Sequence, residues 1–256
     1  MKRALSFVLT LAMGFSVLTV SASAAQKPGP AQETFSIQGR QASSAMVEML
    51  EEEGIAVTED TVIKVVPLSS TEPGIAPQSS NGDSDGSALV ITNKEGTEVT
   101  TDVVAFVAAD GSGFADMSKA LVQRSGFHDF PVSKVMIHGI AVYNQYEDDC
   151  LLFTHPEGVK FNYRKLQACD VSAITMIYVC SGSDYRYPEF TSLNKFVDYN
   201  IRVDKANPNT GATYSKSQPY RSDRIIYTGT GGTSPGNSLT FTVVLDGTRY
   251  TGTAGV

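Results

Sequence analysis

The sequence predicts a mainly β protein: an antiparallel β-sandwich or a meander-based barrel, with a small helix-plus-strand piece at its N-terminal end. Three observations predict this class. Gly, Ser, Thr, Tyr and Val are abundant, which favours strands and turns over a helical bundle. From residue 134 onwards, turn-forming clusters recur about every 8–15 residues. Residues 171–180, VSAITMIYVC, are apolar at both parities, so we expect a central strand that is covered on both faces.

The first 24 residues have the pattern of a secretory signal peptide. Lys2 and Arg3 precede an apolar stretch, and the small-x-small site Ala22-Ser23-Ala24 follows it. The apolar stretch is shorter than the ~20 residues that a membrane span needs. We therefore expect a secreted, extracellular protein, bacterial in origin, with no stable membrane insertion after signal cleavage. Residues 25–33 contain Lys-Pro-Gly-Pro and are typical of a linker.

The charge balance restricts the class of partner. Loss of residues 1–24 leaves 18 basic against 27 acidic side chains, a net charge of −9. Nucleic acids and anionic membrane surfaces require a basic face. We therefore expect no nucleic-acid partner.

The chain has three cysteines, Cys150, Cys169 and Cys180, so at least one thiol is unpaired. If residues 170–180 form one strand, Cys169 and Cys180 lie ~35 Å apart, which is too far for a disulfide. The favoured interpretation is three unpaired thiols, and the alternative is a single disulfide through Cys150.

Residues 34–68 form the small N-terminal piece of the prediction. A helix is expected to begin near Ser43 or Ser44, either of which can cap it. Apolar residues then recur at helical spacing up to Leu50, and Gly54 is expected to end the helix in the left-handed conformation. The stretch TVIKVVPL that follows predicts a strand ending near Pro67.

Residues 69–87 are rich in Ser, Gly, Asp and Pro and are typical of a flexible linker or loop. Within them Asn81, Asp83 and Asp85 alternate ahead of Gly86, as in the first half of a calcium loop. Position twelve of that loop is Thr92 rather than a bidentate Glu. Calcium is therefore a possible cofactor only as the alternative to a solvated linker, and no other cofactor is expected.

Residues 88–256 form the predicted β-rich domain. Two hairpins are expected, one through residues 93–96 and one through Leu245-Asp246-Gly247-Thr248. Between them, residues 134–146, 150–155, 159–164 and 171–180 are predicted to be four successive strands of an antiparallel meander, with a turn at Pro156-Glu157-Gly158. Residues 181–189 are expected to be a loop.

Two histidines could meet across the first hairpin of this meander. A turn at residues 145–148 would place His138 opposite His155, where two imidazoles could hold a transition metal. The alternative is two ordinary strand histidines, because no helical metal-binding spacing supports the site.

The surface candidate is a pair of segments rich in Tyr and Arg, side chains that are enriched where loops bind partners. All eleven tyrosines lie between residues 143 and 250. We predict ligand binding by Tyr185, Arg186, Tyr187, Tyr220, Arg221 and Arg224. Tyrosines packed at strand ends are the structural alternative.

The function expected from the sequence is a secreted binding or interaction module, with a cell-wall, glycan or protein-surface ligand. The alternative is an extracellular hydrolase acting on polysaccharide or peptide. Its acid or nucleophile would be among Asp148, Asp149, Cys150, Asp184 and Glu189. No catalytic motif fixes that alternative, so catalysis is not the favoured expectation.

Overall fold

The computed structural model describes residues 36–37, 40–41, 44–58, 60–69, 86–117, 132–149, 151–218, 221–228 and 237–256. It is mainly β, as predicted, with one short helix. The elements in chain order are β1 (Ser36–Ile37), β2 (Arg40–Gln41), α1 (Ser44–Glu52), β3 (Val62–Pro67), β4 (Ser87–Glu95), β5 (Glu98–Ala108), β6 (Ser133–Asp148), β7 (Leu151–Lys165), β8 (Val171–Arg186), β9 (Thr191–Ala206), β10 (Tyr214–Ser217), β11 (Arg224–Tyr227), β12 (Asn237–Leu245) and β13 (Thr248–Gly255).

The helix α1 ends as its sequence predicts. Gly54 has a φ of 76°, and the Ile55 amide donates to the Leu50 carbonyl at 2.9 Å. Met49 and Leu50 are buried against β4, β5 and β6, in a cluster separate from the main core. The N-terminal piece therefore covers part of the sheet face that points away from the main core. Its strand β3 joins the sheet by pairing with β4.

The strands form one sheet in the order β13-β12-β8-β11-β7-β6-β5-β4-β3-β1-β2, with β9 on β8 and β10 on β7. All pairs are antiparallel except the one between β1 and β3. Among the described residues the sheet is not closed into a barrel. One isolated bridge joins Ser69, just beyond β3, to Thr253 of β13.

The sheet bends over a single main core, so that strands far apart in its order face each other. A Cβ on Gly139 of β6 would lie 2.7 Å from Leu239 Cδ2 and 2.8 Å from Met176 Cε. Gly139 thus permits a close approach of β6 to side chains of β8 and β12. Residues of β4 to β7 and of β8, β12 and β13 share the same buried cluster.

Both predicted hairpins form. The β12–β13 turn is Asp246-Gly247, with φ angles of 50° and 80°. These values are typical of the two-residue turn that Asp-Gly favours between antiparallel strands. Gly96, with a φ of 60°, lies in the turn between β4 and β5.

The predicted meander needs two corrections. Pro156-Glu157-Gly158 is a register shift inside one continuous strand, β7, and not a turn. A Cβ on Gly158 would lie 3.0 Å from the Lys216 carbonyl oxygen, so this glycine permits the close approach of β10. Moreover, β8 extends through residues 181–186, where a loop was expected, and β11 separates it from β7.

The central strand of the prediction, residues 171–180, is fully buried on one face and partly covered on the other. Its core face contains Ile174, Met176, Tyr178 and Cys180, all fully buried. On the opposite face Val179 is buried but Ala173 and Ile177 are half-buried, so the expected cover on that face is only partial. Cys169 and Cys180 are free thiols, as the length of the strand requires.

Burial makes stability fall at alkaline pH. Loss of solvent around Cys180 raises its thiol pKa from 9.0 to about 12, and burial also raises the pKa of Tyr178. Between pH 9 and 12 the unfolded chain loses the thiol proton while the folded chain keeps it, so stability decreases as pH rises. At pH 10 Cys180 alone should reduce the free energy of unfolding by about 1.4 kcal/mol relative to pH 8. Urea unfolding of Cys180→Ala should show a smaller decrease, whereas Cys169→Ala should retain most of it; equal decreases in both variants would contradict the assignment.

Candidate binding surface

A row of residues, most of them aromatic, runs across the four neighbouring strands β6, β7, β11 and β8 near the ends of these strands. Tyr146 of β6 is paired with Phe153 of β7, which is paired with Tyr227 of β11, which is paired with Ser183 of β8. Directly opposed residues of neighbouring strands share a face. Tyr185, two residues beyond Ser183, therefore lies on that face as well.

Six rings are in contact on this face, and we call them the aromatic patch: Tyr146, Phe153, Tyr185, Tyr187, Phe190 and Tyr227. The ring centroids of Tyr146 and Tyr187 are 4.6 Å apart, and those of Phe153 and Phe190 are 4.8 Å apart. Phe190 has a φ of 50°, which is costly for a bulky residue. The turn after β8 thus accepts an unfavourable backbone conformation at the position that carries this ring.

The patch lies on the face opposite the main core. Ile226 of β11 belongs to the main core, so alternation directs its neighbour Tyr227 the other way. Phe153 is 1 % exposed and forms the base of the patch. The other five rings are half-buried and keep part of their surface in contact with solvent.

The tyrosine hydroxyls of the patch differ from those elsewhere. Within the described parts of the chain, the hydroxyls of Tyr146, Tyr185, Tyr187 and Tyr227 make no hydrogen bond. Five tyrosine hydroxyls elsewhere in the sheet, by contrast, are bonded, and the partners are Thr101 for Tyr143, Pro208 for Tyr163, Asn237 for Tyr178, the Asn209 amide for Tyr214 and Gly111 for Tyr250. The patch therefore retains four phenol groups for water or a ligand.

The structure brings the two predicted Tyr/Arg segments together but divides them between two faces. Arg224 is paired with Arg186, and Ile225 with Tyr185, in the β8–β11 ladder. Alternation places Tyr185 on the patch face and Arg186 on the opposite face, where it is exposed. Tyr220 lies outside the described residues.

Both remaining arginines of the prediction have partners. The Arg224 Nε donates to Asp184 Oδ1 at 2.9 Å, and Asp184 is fully buried at the end of the main core. Arg221 forms an exposed ion pair with Asp223. Arg224 thus serves the packing of β11 against β8.

Sequence reasoning missed Tyr146, Phe153, Phe190 and Tyr227. Their signal was present: each is an aromatic residue near the end of a strand or in the turn after one. The sequence alone could not indicate that these residues meet, because the pairing of β11 between β7 and β8 is a contact between distant parts of the chain.

The predicted pairing of His138 with His155 is wrong. His138 is opposite Asn162, and His155 is opposite Asn144, because the hairpin turn lies at residues 149–150. His138 Nε2 is instead 2.7 Å from Asp102 Oδ1, and both side chains are buried. The ring of His155 contacts Glu157 at 2.7 Å. Each histidine therefore has its own carboxylate partner.

The remaining candidates are the residues of the calcium and hydrolase alternatives. Asn81, Asp83 and Asp85 of the calcium alternative, like Cys150, fall outside the described residues. Within the described ranges no three His, Cys, Asp or Glu side chains are grouped to hold a metal ion. Of the carboxylates in the hydrolase alternative, Asp184 is engaged by Arg224, while Asp148, Asp149 and Glu189 are exposed.

No helix in the described segments is long and apolar enough to cross a membrane. Comparison with known proteins gives no match to a family model, to a curated protein or to a solved structure.

Gly182 should be essential for the close packing of β11 against β8. A Cβ at this position would overlap the carbonyl oxygen of Tyr227 and would lie 2.7 Å from Ile226 Cγ2. Gly182→Ala is expected to reduce the free energy of unfolding by about 2–3 kcal/mol, because the backbone of β11 must move. Gly255→Ala is the matched control in a strand with open space, and it should change stability by less than about 0.5 kcal/mol. Equal effects in urea unfolding would contradict this role.

Removal of only the arginine from the Arg224–Asp184 ion pair should destabilise the fold. Arg224→Met leaves the buried Asp184 carboxylate without its guanidinium and is expected to cost about 3 kcal/mol at neutral pH. The double variant Arg224→Met/Asp184→Leu should regain part of this loss, since it removes the buried charge. Urea unfolding of both variants checks the expectation, and a loss below about 1 kcal/mol in the single variant would contradict it.

Proposed function

We propose that the protein is a secreted binding module that recognises an extracellular ligand through the aromatic patch. One observation carries the proposal: a connected set of six rings, five of them half-buried, presents four phenol hydroxyls that bond to no described residue. Aromatic side chains with a free polar group combine apolar contact area with hydrogen bonding. Tyrosine is enriched at binding hot spots for that reason.

Other properties of the chain support an extracellular role. The signal-peptide pattern of residues 1–24 favours export, and the cell wall, glycans and exposed protein surfaces are the partners available there. The acidic balance of the chain disfavours a nucleic acid. A patch on the outer face of the sheet, away from the main core, is accessible without unfolding.

A binding experiment can test the patch against the opposite face. Tyr146→Ser/Tyr187→Ser removes the closest ring pair and should weaken co-sedimentation with cell-envelope preparations at least about tenfold, because two aromatic contact surfaces together contribute more than ~1.4 kcal/mol. Arg186→Ser, on the other face, and Tyr250→Ser, a half-buried tyrosine of β13, are the controls and should bind normally.

Melting temperatures of all variants are to be measured alongside binding. Retention of binding by the double variant would refute a role for the patch. Loss of binding in Arg186→Ser alone would transfer recognition to the opposite face and would equally contradict the proposal.

A further inference from the structure

We infer that the ligand of the aromatic patch is a neutral, hydroxyl-rich glycan. This inference rests on the proposed binding function and names the chemical class of its ligand.

The row of aromatic residues continues beyond the patch to β9. Phe196 is paired with Ser183. Its side chain is 62 % exposed, more than that of any other aromatic residue in the described part of the chain. Ser183 thus lies between Tyr227 of β11 and Phe196 of β9. Two strand spacings separate these aromatic positions, about 9–10 Å. We call this arrangement the trough: the two aromatic positions, Tyr227 and Phe196, are its walls, and the small polar Ser183 lies between them.

The groups that line this trough match the surface of a sugar ring. A pyranose has apolar C–H faces and a rim of hydroxyls, so it needs aromatic surface and hydrogen-bonding groups together. The walls provide the rings, and the Ser183 hydroxyl, like the four phenols of the patch, bonds to no described residue. Burial raises the pKa of Tyr146, with Tyr187 and Glu157 adding to the effect, so this phenol keeps its proton for donation.

Two exposed carboxylates adjoin residues of the aromatic patch, and they require hydrogen-bond donors from the ligand. Asp148 is exposed and shares the face of Tyr146, two residues away on β6, and Glu189 is exposed between Tyr187 and Phe190 in the chain. Ionised carboxylates only accept hydrogen bonds. Sugar hydroxyls donate them, which favours a glycan over a purely apolar partner.

Two competing ligand chemistries fit less well. A proline-rich peptide also packs on aromatic rings, but proline has no N–H to donate to Asp148, Glu189 or Ser183. An anionic polymer would be repelled by those carboxylates and by the net charge of −9 that remains after loss of residues 1–24. The described surroundings of the patch therefore favour a neutral polysaccharide.

Affinity electrophoresis of the full chain through gels containing a β-glucan, a mannan, a galactan or an arabinoxylan tests the class directly. At least one neutral polysaccharide should retard the wild-type protein. Phe196→Ser and Tyr227→Ser should each reduce the retardation at least about fivefold, since each removes one wall. Val132→Ser, which removes a 71 % exposed apolar side chain away from the row, is the matched control and should migrate like wild type. Because the chain has no Trp, the near-ultraviolet absorbance of tyrosine reports ligand contact independently.

The outcomes separate this inference from the binding proposal. If no polysaccharide retards the protein while cell-envelope binding still depends on Tyr146 and Tyr187, the glycan is wrong and the binding module stands. Gels containing polyproline or an anionic polysaccharide are run alongside, and retardation in those gels alone overturns the inference in the same way. If cell-envelope binding is unaffected by Tyr146→Ser/Tyr187→Ser, both fail. Retardation by a neutral polysaccharide that the wall variants lose, with unchanged melting temperatures, supports the inference.

Discussion

The structure depends on the hydrogen bonding of one short strand to two partners at once. β11 has four residues, yet it pairs with β7 on one side and with β8 on the other. The strands on either side of it in sequence each take one of these partners: β10 pairs with β7, and β12 with β8. At β10, β11 and β12 the sheet therefore passes from one side of the core to the other.

The aromatic patch is a direct consequence of that geometry. At β11 the rings contributed by β6 and β7 come within reach of the rings contributed by β8 and the turn that follows it. On the inner face of the same junction, Asp184 and Arg224 occupy the end of the core. Gly182, where no Cβ can be accommodated beside Tyr227, sets the closeness of the two strands. One junction thus positions both the packing contact and the candidate binding surface.

Local signals predicted the elements that local chemistry determines. Asp246-Gly247 specified its hairpin, and Gly54 ended its helix, because each depends on a positive φ that few residues accept. Pro156 and Gly158 have the composition of a turn, but Gly158 instead permits the approach of β10 from a distant part of the chain. Tyr185 and Tyr187 could be singled out from sequence. Tyr146 and Tyr227 could not, since only the pairing of β11 brings them beside the others.

The bridge between Ser69 and Thr253 bears on when the fold can form. β8 acquires its partner β12 only from residues 237–245, and β13 reaches back to the residue after β3. Such pairing between remote segments is slow, because long loops must close before their contacts form. A chain emerging from a ribosome therefore cannot complete this core until its last strands are made. For the exported protein that we propose, this delay would keep the polypeptide unfolded for longer, which is the state that a translocation channel requires.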